Sequence, residues 1–395
     1  MKNSKKSIIF IISTVLISFL IIGFSRFIFD NGFIKDRLNK NVQYYEGKVK
    51  RITKEMLEGD KYIEGIELGY QNIVIEILEG PEKGKEYEIV NNISRIYNMP
   101  VEEDTKVILG FFYEKDEIKD IAVYSYKRSN IIFLLVLLFV IAIIGVGGIK
   151  GIKSLVSLFF TCVCIIFLMI PLMLRGVNPI LAAIFSALIS IIVTLVLVSG
   201  INKKTFTAIL GTLSGIIISG VIAIGFGKLA NLSGISMEEA ESMMYIAENT
   251  SLNIHGIMFA AILIASLGAV MDVAMSISSS IFEINDINDT LNKRGLFKSG
   301  MNIGKDIIGT MANTLILAFA GGSLNTIIML YASNMSKNQI LNLDVLCIEV
   351  VQGLAGSIGI ILTVPITAFV ASYFCKLNLK KSVKSLSNQG YNMIV

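Results

Sequence analysis

The chain has 395 residues, 53% of them hydrophobic and 17% charged, with a formal net charge of +4 and a mean hydropathy of +0.69. A soluble globular domain carries about 25% charged residues and lacks repeated unbroken apolar runs. A water-soluble fold is therefore excluded, and runs of about 20 apolar residues mark a polytopic membrane protein.

The first element is the apolar run that follows Lys2, Lys5 and Lys6. Its apolar core is too long for a cleaved signal peptide, and no small-residue cleavage site follows. Residues 1–29 thus read as an uncleaved signal-anchor helix.

Residues 30–128 differ in character. They hold 16 Lys/Arg and 20 Asp/Glu, against 19 and 11 in the rest of the chain. The segments YYEGKVKRITKE, YIEGIELGY, NIVIEILEG, KVILGFFYE and IAVYSY alternate apolar with polar residues and are rich in β-branched side chains, the pattern of half-buried strands. GPEKG at 80–84 is a turn between two of them. Five or six short strands in this length predict a small all-β domain, a barrel or OB-like sandwich. Its acidic balance excludes nucleic acid as a partner.

From 129 to 375 apolar runs dominate. Helices are expected near 130–148, 154–174, 179–200, 205–230, 254–283, 304–331 and 344–373, a seven-helix domain that makes eight spans with the anchor. Residues 376–395 form a basic tail. Basic residues collect on the cytoplasmic side of membrane proteins. With the N-terminus in the cytoplasm, that side holds fifteen Lys/Arg, among them Lys150, Lys203, Lys293, Arg294 and Lys380. Outside the β domain, the other side holds Arg26, Arg175, Lys228 and Lys337. Both termini are then cytoplasmic, and residues 30–128 are extracytoplasmic. The loop 231–253 faces the same way, and SMEEAESMMYIAE within it reads as a short amphipathic helix capped by Ser236. Trp is absent, so Phe and Tyr, such as Tyr124 and Tyr373, take the interfacial positions.

The last three long helices carry the intramembrane polar residues. An acid at the bilayer centre costs about 3 kcal/mol on insertion scales and normally faces the bundle interior. Ala265, Gly268, Asp272, Ser276 and Ser279 share one helical stripe. Asp306, Thr310 and Asn313 share another, and Glu349, Gln352, Gly353, Gly356 and Ser357 a third. Helical rise places Asp272, Thr310 and Asn313 at similar depth. Asp272 is expected to bind a cation or proton, with Asn313, Thr310 and Ser276 supplying neutral oxygens; the competing reading is a hydrogen-bond network that holds helices together. Glu349, Gln352 and His255, the single histidine, form a second, outer cluster. Asp306 reads as a helix-start residue favoured by the dipole. The glycine-rich segment 212–230 predicts either close helix packing or a broken helix.

No catalytic motif is present: HExxH, GxSxG and GxxxxGK[ST] are all absent. No enzyme activity, cofactor or metal is expected. Four cysteines, Cys162, Cys164, Cys347 and Cys375, read as packing residues.

GAVMDVAMSISSS (268–280), GKDIIGTMANTLILAFAGG (304–322) and IEILEGPEKGKEYEIVN (75–91) resemble the YibE/F-like family of bacterial multi-pass membrane proteins. The resemblance implies a location in the bacterial cytoplasmic membrane and carries no catalytic residues over. Two functions stand as expectations. One is a permease for a small solute or ion, coupled to an ion gradient, working alone, as a homo-oligomer or with a separate membrane partner. The other is a non-transport assembly or signalling component whose β domain is a binding module.

Overall fold

A computed structural model describes residues 2–30, 42–114, 117–232 and 240–377; the side chains of 2–7, 27–30, 240–242, 249 and 255 lie outside that description. The chain divides into two compact units, Met1–Phe33 with Val146–Val395, and Ile34–Gly145.

Among the described residues, the smaller unit has five strands: β1 (Val42–Gly59), β2 (Glu67–Ile77), β3 (Glu86–Ile93), β4 (Lys106–Glu114) and β5 (Glu117–Tyr126). All pairs are antiparallel, in the order β3-β2-β1-β4-β5. β1 is long enough to pair with β4 through Val42–Lys48 and with β2 through Gly47–Gly59, with two irregularities that let it bend. The sheet curls into a half-barrel. The expected small barrel is present in part, as an open one: no ladder joins β3 to β5 among the described residues. Alternation does what the sequence promised: Ile89 on β3, and Val107, Leu109 and Phe111 on β4, point into one core with Val49, Ile73 and Ile75. GPEKG is a turn in which Gly80 and Gly84 adopt φ of +87° and +84°, values that a side chain would strain.

Gln71 is the polar centre of this unit. It is buried, and its side-chain oxygen accepts from Val101 N (2.9 Å). Its amide nitrogen donates to Val101 O (2.9 Å) and Glu55 (2.7 Å). Asn91 donates to Gln71 and to Met99 O. These bonds tie the 94–105 loop to the sheet and leave no side-chain amide of the pair unsatisfied.

The larger unit is helical. Its long elements are α1 (Lys2–Asp30), α2 (Ser129–Cys164, whose first part belongs to the smaller unit), α4 (Pro179–Ser199), α5 (Lys203–Leu229), α7 (Ile257–Ile287), α8 (Lys293–Gly322) and α11 (Asp344–Cys375). Short helices are α3 (Ile170–Leu174), α6 (Ala240–Asn249), α9 (Leu324–Ala332) and α10 (Lys337–Leu341). Among the described residues, seven helical runs are long and apolar enough to cross a membrane. One, Ser129–Leu174, has 46 residues, about 69 Å of helix at 1.5 Å per residue. It is broken at Gly148 (φ 52°, ψ −131°), where only glycine sits without strain. The expected loop at 149–153 is absent, since helix resumes directly after that glycine.

Of the two readings of segment 212–230, close packing is the one seen: α5 continues unbroken to Leu229, with Gly215 and Gly220 against its neighbours. Two other expectations are corrected. α8 starts eleven residues earlier than its apolar run, capped by the Asn292 side chain, which accepts from Gly295 N (2.8 Å). It stops at Gly322 instead of running to 331. The amphipathic helix of the 231–253 loop is present as α6, whereas its proposed cap, Ser236, lies outside the described residues.

α11 packs on α5, α7 and α8, and α7 packs on α4, α5, α8 and α11. The α5–α11 contact is built from alternating small groups. A Cβ on Gly211 would lie 2.0 Å from Thr367 Oγ1, and one on Gly359 would lie 1.8 Å from Ser219 Oγ. Across α5 and α7, the hydroxyls of Thr207 and Ser278 meet at 2.5 Å, and Leu263 covers Gly220. Close backbone approach of this kind is the usual means by which apolar helices associate in lipid.

Candidate functional site

α7 is the most enclosed of the long helices. Its large side chains, including Met258, Leu263, Val270, Ile277 and Ile281, are buried against its neighbours. One strip stays open. Ala265, Gly268, Asp272 and Ser276 are all exposed. On α8, Asp306, Thr310 and Asn313 are exposed as well.

The two strips stand at matching height. Gly300 of α8 packs under Ile281 of α7, and Gly304 packs near Ile277, which fixes an antiparallel register. Counting five residues onward along each helix places Asp272 level with Gly309 and Thr310. This count puts Asp272 and Thr310 on one level and Asn313, expected at the same depth, about one turn further along.

The expected burial is not. These residues were read as facing the bundle interior, and they line an open face of it instead. The reason lies in how the small residues are used. The stripe of Ala265, Gly268 and Ser276 is small enough for a close helix contact, but nothing packs within 4 Å of a Cβ built on Gly268. Close contact is made elsewhere, by the glycines and hydroxyls of α5 and α11. Along the strip, hydroxyls satisfy themselves on their own helices: Thr310 donates to Ile307 O (3.0 Å), Thr314 to Thr310 O (2.8 Å) and Ser280 to Ser276 O (2.9 Å). Asp272 and Asn313 have no hydrogen-bond or ion-pair partner among the described residues. The Asp272 carboxylate is consequently available to a ligand.

Asp306 is not a helix-start residue. It is the fourteenth residue of α8, beyond the reach of the terminal dipole.

The outer cluster is divided. Glu349 is half-buried and lines a cavity of about 260 Å³ among α8, α9 and α11, with Phe319, Leu330, Leu346 and Val350 among its walls. Gln352 is half-buried on α11 and does not line that cavity. His255 belongs to a 3-10 turn, Ile254–Gly256, and its side chain lies outside the described residues.

Sequence reasoning missed that a set of hydroxyls is buried without partners. Ser219, Thr367 and Ser357, the last already placed on the third polar stripe, are buried, and their oxygens lack a partner among the described residues. The signal was the spacing of four between Gly211, Gly215 and Ser219, and between Gly359, Thr363 and Thr367.

A model of the YibE/F-like protein family matches residues 135–377. The chain belongs to the YibE/F-like family. The match takes in both strips, Glu349 and the α5–α11 contact. It leaves out α1 and the half-barrel, so segment 75–91 carries no part of it. None of the curated proteins and none of the solved structures compared with this YibE/F-like protein matches it. Family membership and the long apolar helices are together compatible with a membrane protein.

Proposed function

We propose that this YibE/F-like protein is a multi-pass permease of the bacterial cytoplasmic membrane, moving a small solute or ion with the help of an ion gradient. It crosses the bilayer eight times, the run Ser129–Leu174 supplying two crossings on either side of Gly148. Both termini are cytoplasmic and the half-barrel is outside, as the distribution of basic residues requires.

The observation that carries the reading is the unpaired carboxylate of Asp272 on the open face of α7. In a membrane-spanning helix such a group is too costly to set against lipid, so its face lines an aqueous path or is covered by a second wall. Thr310 and Asn313 stand at or near its level with oxygen atoms that suit a hard cation. Asp272 binds the coupling ion or proton, and the α7–α8 face is one wall of the path.

Purified protein in proteoliposomes, tested for gradient-driven flux of a panel of ions and metabolites, decides this. The wild type should move at least one of them, and Asp272→Asn should abolish the movement. Equal flux in both would remove the assigned role.

A further inference from the structure

The half-barrel carries a second site. Across its open seam β3 and β5 approach each other, and beside that seam lies a groove of about 470 Å³. Its walls are aromatic: Tyr44, Tyr97, Phe112 and Tyr124, exposed by 53%, 69%, 41% and 61%. So much aromatic surface left in water on a small domain marks a place of contact. Gly110 and Ala122 pair directly across β4 and β5 and form a low floor between the rings.

Tyr124 is placed there by a bulge. Ile108 pairs with Ser125 and Leu109 pairs with Val123, which leaves Tyr124 as the extra residue of β5. Bulges of this kind re-aim a side chain. The Tyr124 ring lies 4.7 Å from that of Tyr44, tilted by 57°.

The chemistry of the walls narrows the ligand. No Asp, Glu, Lys or Arg lines the groove among the described residues, although the surrounding strands are dense in them. Polar capacity comes from Asn92, Ser94 and the hydroxyls of the three tyrosines. The Asn92 amide has no partner among the described residues. The Ser94 hydroxyl accepts from Tyr97 N (3.1 Å) and keeps its proton free to donate. A groove of this volume, with apolar rings and a few neutral polar groups, fits a small or extended neutral ligand. Nucleic acid is excluded by the lack of cations. An added peptide strand is disfavoured because the β5 edge is interrupted by bulges at Tyr124 and again at Lys119.

We propose that this groove binds a neutral glycan. Sugar rings present an apolar C–H face that stacks on tyrosine and a rim of hydroxyls that the Asn92 amide and Ser94 hydroxyl meet. This goes beyond transport and does not depend on it.

The test uses the full-length protein in nanodiscs with two probes, a hexamer of N-acetylglucosamine and maltohexaose. Tyrosine fluorescence reports binding, since the chain has no Trp. At least one probe should bind saturably. Tyr44→Ala and Tyr124→Ala should each weaken it by about ten-fold or more, as expected for an aromatic anchor, with thermal unfolding unchanged. Tyr44→Phe should retain binding, because the ring stacks, and Asp272→Asn should retain it too. Failure of both oligosaccharides, binding indifferent to the alanine variants, or a groove that takes only an extended peptide or a lipid vesicle would each overturn the proposal.

Discussion

Gly215 of α5 and Thr363 of α11 share one space: a Cβ on Gly215 would stand 1.9 Å from the Thr363 hydroxyl oxygen. The same relation holds one turn away in each direction, at Gly211 with Thr367 and at Ser219 with Gly359. Thr363 is able to sit so close because its hydroxyl turns back to donate to Gly359 O (2.7 Å) on its own helix.

Gly215→Ala should therefore destabilise the bundle by about 1–3 kcal/mol, the usual cost of overpacking. Val270 at 2.6 Å closes the escape on the other side. Gly309→Ala is the control. Nothing lies within 4 Å of its would-be Cβ, and alanine favours helix over glycine by about 1 kcal/mol. Thermal unfolding of the detergent-solubilised variants should order them Gly309→Ala at or above wild type, then Gly215→Ala well below.

In the half-barrel, Gln71→Leu should cost about 2–4 kcal/mol. It strands the buried Val101 backbone groups and the Asn91 amide, and each unmade buried bond costs about 1–3 kcal/mol. Hydrogen exchange at the Val101 amide should quicken before that of the β1–β4 ladder. Unchanged protection there would show that the loop is held by something else.

Asp60 accepts hydrogen bonds from Arg95, Tyr62 N (2.7 Å) and Ile63 N (3.1 Å). The Arg95 guanidinium foremost, then these backbone amides, hold its carboxyl below the usual carboxylate range. In acid the unfolded chain thus takes up a proton before the folded one does. The stabilisation is complete above the ordinary carboxylate value and disappears as pH falls through the lowered one. Arg95→Gln should move Asp60 titration upward, towards the ordinary value. NMR titration of the Tyr62 and Ile63 amides would read the shift, and an unmoved titration would discard the pairing.

Sidedness is open to direct labelling. In a variant with its native cysteines replaced by serine, Ser94→Cys should react with a membrane-impermeant maleimide in intact cells. Lys293→Cys should react only after permeabilisation. The reverse pattern would invert the proposed topology.

Much of this architecture was legible because it follows from solvent preference. Strand alternation placed Val107, Leu109 and Phe111 in a core, and apolar length located α4, α5, α7 and α11. What escaped was set by packing or by polar residues. The first three turns of α8 contain Lys293, Arg294 and Lys298, so hydropathy reads them as loop; the Asn292 cap was the clue. α10 escaped for the same reason, although Ser336 and Gln339 spell a capping box, with both hydrogen bonds present. The site was half legible. Spacing put Asp272 and Thr310 on polar stripes of α7 and α8. It did not say which face of α7 its neighbours would occupy, because small residues serve a tight interface and an empty one equally well.

The meshing of α5 with α11 has a mechanical consequence. Teeth spaced a full turn apart lock against any slide shorter than that turn, so the two helices act as a single strut. A movement of either helix alone would have to break this mesh, so the pair stands as the fixed reference of the bundle.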